Sequence, residues 1–177
     1  MKNEEIIFAA ISIIAGLVVL STLAWVFLKY PTEQALGQRF VKDEFIFHTP
    51  FYMFHFKPIT ILVISIFVFG VCGLESLRNH LLKLPLVIKR VIFIFFFTAI
   101  FVFGYETLHM FLMWTATITV TGEITSLDEI ISKPNPLLPY SVNFTFITKW
   151  YSLLLFLSLY GLYFMHQIMK ASLNYKK

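Results

Sequence analysis

Val91-Ile-Phe-Ile-Phe-Phe-Phe-Thr-Ala-Ile-Phe-Val-Phe-Gly-Tyr-Glu-Thr-Leu-His-Met-Phe-Leu-Met-Trp114 is an apolar run with a carboxylate inside it. It exceeds the roughly 20 residues that carry one helix across a bilayer. Glu106 and His109 stand three residues apart, which puts them on neighbouring positions of one helical face. A charged side chain at the centre of a membrane helix costs about 2.5–3.5 kcal/mol on insertion scales. Such a group persists with a partner, a bound proton, a metal ion or water. The polar centre of the molecule is therefore expected at Glu106 and His109.

Composition points to a membrane protein. Apolar residues make up 58% of the 177 and charged residues 14%, against about 45–50% and 25% in soluble domains. The mean hydropathy is +0.79. The net charge of +4 is spread over the ends of apolar runs rather than gathered with aromatics in a basic groove, so no nucleic-acid partner is expected. Cys72 is the single cysteine, which excludes an internal disulfide and any site needing two cysteines.

Four apolar runs emerge, at approximately 6–28, 58–77, 88–114 and 146–169. They predict an all-α, four-transmembrane-helix bundle forming one membrane domain over 1–177, with two structured outer loops at 29–57 and 115–145. The first run is too long for the core of a signal peptide and is read as a retained helix. Ser12 and Gly16 in it form a small-residue strip suited to close helix contact. Arg78, Lys83, Lys89 and Arg90 crowd the short linker between the second and third runs. Short basic loops stay cytoplasmic, which places both termini inside; Lys2, Lys170, Lys176 and Lys177 agree. A prokaryotic plasma membrane is the expected location. Glu75 and Arg78 have helical spacing and are expected to pair.

In the first loop, Thr49-Pro50 reads as a helix start. In the second, the alternation Thr115-Ala-Thr-Ile-Thr-Val-Thr121 suits either a strand or the end of the third helix. Ser126 to Glu129 resembles a capping box for a short helix ending near Lys133. Pro134, Pro136 and Pro139 then impose an extended connection.

With this topology the middle of the third span falls near residue 102. Glu106 then lies ~5–6 Å and His109 ~10 Å outward of it, at 1.5 Å per residue. His48 and His55 belong to the loop on that side, as do Asp43 and Glu44. A loop folded against the helix would bring these groups together into a transition-metal or proton-relay site. The simpler alternative is a polar clasp, with Glu106 hydrogen-bonded to His109 and to Tyr151 or Ser152 of the fourth span. Tyr160, Tyr163 and His166 share a helical face that reads as packing.

Glu106-Thr-Leu-His109 also has the Glu-x-x-His spacing of carboxylate-bridged di-iron bundles, but those need two such motifs and further glutamates. Histidine boxes, His-Glu-x-x-His, a Walker loop and a Gly-x-Ser-x-Gly elbow are all absent. The favoured expectation is a small accessory or assembly subunit of a larger integral membrane complex, with the bilayer and other membrane subunits as partners. A membrane enzyme or redox subunit using Glu106, His109, His48 and His55 is the alternative. A small transporter or channel is the third, although no internal repeat supports it.

Overall fold

The computed structural model describes residues 2–29, 40, 45–48, 53–121 and 144–174. In chain order these form helix α1 (Lys2–Lys29), strands β1 (Phe45–His48) and β2 (Met53–Phe56), and helix α2 (Pro58–Ser76). A short helix α3 (Arg78–Lys83), then α4 (Leu86–Thr121) and α5 (Phe144–Asn174), complete the described chain. Helices α1, α2, α4 and α5 are each long and apolar enough to cross a membrane, over Asn3–Lys29, Pro58–Ser76, Leu86–Met113 and Phe146–Ser172. Helices suit such sequences because each satisfies its own backbone groups where no water can.

The packing order differs from the chain order. α1 lies against α2, α2 against α5, and α5 against α4. The last helix is thus inserted between the second and third spans. Contacts set its direction: Gly104 of α4 lies opposite Leu155, and Phe96 opposite Gly161. α4 and α5 are therefore antiparallel.

These helices are apolar all round, so residue size rather than hydropathy decides which face packs. On α1 the buried positions are Ser12, Ala15, Thr22 and Val26, a stripe of mostly small residues that lets two backbones approach. The Ser12 hydroxyl donates to the Phe69 carbonyl of α2 at 3.2 Å. A Cβ placed on Gly16 would stand 3.3 Å from the Phe69 ring. The small-residue strip read at Ser12 and Gly16 is thus the α1–α2 seam.

Two apolar clusters hold the bundle at opposite ends. Near the β1–β2 ribbon, Val26, Ile59 and Leu62 are buried together with Phe40, whose ring meets Phe146 at 5.5 Å between centroids. Near α3, the buried side chains Phe164, Met165 and Ile168 pack against Leu74, Leu81, Ile92 and Phe96. Helix α5 contributes to both.

Two local expectations resolve differently from one another. Thr115–Thr121 is the last part of α4, so the strand alternative is set aside. Its β-branched residues are accommodated by bonding back into the helix: Thr115 Oγ1 donates to the Leu112 carbonyl at 2.8 Å and Thr119 Oγ1 to the Thr115 carbonyl at 2.9 Å. The helix start read from Thr49-Pro50 is corrected. Those two residues lie outside the described ones, but Met53–Phe56, which such a helix would contain, is a strand. It pairs antiparallel with β1 in the register Phe45↔Phe56, Ile46↔His55, Phe47↔Phe54 and His48↔Met53. Aromatic and β-branched residues favour the pleated ribbon. The short helix expected after Ser126 and the proline-bearing connection also lie outside the described residues.

The closest helix approach carries a testable consequence. A Cβ at Gly161 would collide with the Phe96 ring, whereas one at Gly104 would meet Leu155 at an ordinary 3.9 Å. Gly161→Val is expected to destabilise the detergent-solubilised protein by about 1–3 kcal/mol through overpacking. Gly104→Ala should leave the denaturation midpoint unchanged.

Candidate functional site

Glu106 and His109 occupy the middle of α4, the helix least covered by its own chain. Only 6% of its spanning window is buried, against 33% for α5. Glu106 is half-buried on the flank that turns toward α5, beside Thr107, whose hydroxyl is satisfied by the Phe103 carbonyl at 2.7 Å. His109 is exposed. Its ring stacks on Tyr105, centroids 6.0 Å apart and planes within 9° of parallel. Tyr105 itself is 65% exposed. The one-turn spacing of a helix produces this i,i+4 stack.

The polar clasp expected from the sequence would join Glu106 to His109 and to Tyr151 or Ser152. Among the described residues, no hydrogen bond joins Glu106 to His109, Tyr151 or Ser152, and no ion pair reaches its carboxylate. His48 and His55 lie on β1 and β2, His48 opposite Met53 and His55 opposite Ile46. Asp43 and Glu44 are outside the described residues. Among the described residues no group of three or more His, Cys, Asp or Glu side chains converges as a metal site would require.

The charged side chains that do make contacts between elements gather at the two ends of α2. At the α3 end, the pair expected between Glu75 and Arg78 is present and bidentate: Arg78 Nε donates to Oε2 at 2.8 Å and Nη2 to Oε1 at 3.0 Å. Tyr160 of α5 adds a third donor, its hydroxyl reaching Glu75 Oε1 at 2.7 Å. The Arg78 guanidinium also lies over the Phe164 ring, 5.2 Å from its centroid, within cation–π range. The Glu75 hydrogen bonds hold the guanidinium above its ordinary pKa. The Tyr160 bond ties α2 to α5 and the Arg78 bonds tie α2 to α3, all through the charged Glu75 carboxylate.

Nearby, Lys89 is 2% exposed and donates to the Leu82 carbonyl at 2.7 Å. A cation suits the negative end of a short helix such as α3. At the ribbon end, Lys149 of α5 donates to Thr60 Oγ1 of α2 at 3.0 Å. Together with Val63, Ile64, Phe67, Ser152 and Phe156 it lines a cleft of about 330 Å³ between those helices.

Sequence reasoning missed the parts played by Tyr160, Lys89 and Lys149. The stripe Tyr160, Tyr163 and His166 reads as packing, whereas Tyr160 bonds to Glu75 and Tyr163 and His166 are exposed. A signal for Lys149 was present: it is a lone cation one turn inside an apolar helix, flanked by Thr148 and Trp150.

The fold and its apolar helices define a polytopic membrane protein. Comparison of the chain with protein-family models, with curated proteins and with solved structures finds no match.

The clasp at the α3 end predicts a stability difference between two tyrosines of one helix. Tyr160→Phe removes the hydroxyl from Glu75 and is expected to lower stability in detergent by about 1 kcal/mol. Tyr163→Phe, at an exposed position, should leave it unchanged.

Proposed function

We propose that this chain is an accessory or assembly subunit of a larger integral membrane complex, and that α4 is the helix by which it joins that complex. The observation that carries this reading is the placement of Glu106 and His109. Lipid chains readily cover the apolar part of α4, where Phe95, Phe101, Val102 and Leu108 are all exposed. They offer no hydrogen bond to an imidazole or a carboxylate. A second polypeptide does. Polar groups on a lipid-facing helix are costly enough that a partner's donors and acceptors would hold the two together, at about 0.6–2 kcal/mol per contact.

The Tyr105–His109 stack supports the same reading. It presents a flat aromatic and imidazole surface outward, and aromatic residues are enriched in the cores of protein interfaces. The orientation we propose follows from the linker bearing Arg78, Lys83, Lys89 and Arg90. With that linker cytoplasmic, both termini are cytoplasmic, the β1–β2 ribbon is external, and Glu106 and His109 fall in the outer half of the membrane. A prokaryotic plasma membrane fits this arrangement.

The test is purification from native membranes in a mild detergent, with mass spectrometry of whatever accompanies the chain. The wild-type protein is expected to bring down at least one further membrane polypeptide in stoichiometric amount. The double variant Glu106→Gln/His109→Leu should lower that recovery several-fold while leaving the denaturation midpoint of the isolated chain unchanged. Recovery of the wild-type chain alone, or an undiminished partner with the double variant, would refute the proposal.

A further inference from the structure

We propose that the cleft between α2 and α5 holds one acyl chain of an anionic phospholipid, with the lipid phosphate on Lys149. The inference is independent of the partner assigned to α4, because it concerns different helices and a different face.

The cleft's volume of about 330 Å³ falls within the range of small-molecule sites, roughly 300–1,000 Å³. Its walls are nearly all hydrocarbon: Val63, Ile64 and Phe67 from α2, and Leu153 and Phe156 from α5. From Lys149 to Phe156 along α5 is about 10 Å at 1.5 Å per residue. The apolar slot therefore extends inward from a mouth that carries a cation. That gradient along the helix axis matches a lipid, charged at one end and hydrocarbon at the other.

The chemistry of the mouth selects the sign of the headgroup. A lysine ammonium has three donors. Lys149 spends one on Thr60 Oγ1 at 3.0 Å, and among the described residues no carboxylate pairs with it. The Lys149 ammonium beside the cleft attracts an anion. Thr148 and Ser152 belong to the same lining. A zwitterionic headgroup would bring its own cation into this field, so a net negative lipid is preferred.

The experiment uses the full chain in mild detergent, titrated with phosphatidylglycerol or with phosphatidylcholine of identical acyl chains, and read by native mass spectrometry. Wild-type protein is expected to retain phosphatidylglycerol over phosphatidylcholine by about fivefold, the effect of one basic residue near an anionic surface. Lys149→Gln should bring the ratio to about one, and Lys149→Arg should restore it, which separates loss of charge from loss of fold. Ser152→Phe, which fills the slot, should remove the retained lipid altogether. Equal retention of the two lipids by the wild type, or an unchanged preference in Lys149→Gln, would overturn the proposal. So would an unaltered lipid count in a folded Ser152→Phe protein.

Discussion

A hydrocarbon slab contains no water, so each polar group within it must find its partner in protein or reach the slab's edge. Most of the polar side chains described here obey that constraint visibly. Ser12, Thr107 and Ser158 bond to backbone carbonyls. Glu75, Arg78 and Tyr160 gather at one end of the bundle, and Lys149 and Thr60 at the other. Among the described residues, Glu106 and His109 are where the rule is left open, and they lie on the helix with the smallest buried share.

The arrangement of helices explains why α4 is the open one. α5 is inserted between α2 and α4, bonds to α2 through Tyr160 and Lys149, and meets α4 along Gly161 and Phe96. α1 completes the row beyond α2 by burying its small-residue stripe. α4 thus packs mainly against α5, and the side bearing Tyr105 and His109 has no substantial neighbour among the described elements. A row with α4 at one end can be extended by a further helix without rearrangement. The Glu75–Arg78–Tyr160 cluster and buried Lys89 brace the α3 end, which keeps the α2–α4 connection fixed while one face of α4 stays uncovered.

Much of the architecture was legible in the sequence because bilayer thickness is a strong ruler. Four apolar runs gave four helices, and Ser12 with Gly16 marked a seam because residue size sets how closely backbones approach. The packing order was not legible: chain order says nothing about which apolar face meets which, and Gly161 against Phe96 is a shape match invisible to hydropathy. The helix start read at Thr49-Pro50 rested on a local signal, while the pairing of Phe45–His48 with Met53–Phe56 is set by residues on two separate stretches. At the candidate site, the cost of burying Glu106 was legible, but the identity of its partner was not. Tyr151 and Ser152 are on α5, yet the helix rotations that place Ser152 in the α2 cleft follow from packing.

The account turns on whether the exposed side of α4 is covered by another polypeptide in the native membrane. A photo-activatable phenylalanine analogue at position 105, irradiated in intact membranes, tests this most directly. The account predicts one discrete, higher-mass product containing a second membrane polypeptide, and no such product from an analogue at position 14 on the exposed side of α1. Adducts to lipid alone from position 105 would contradict it.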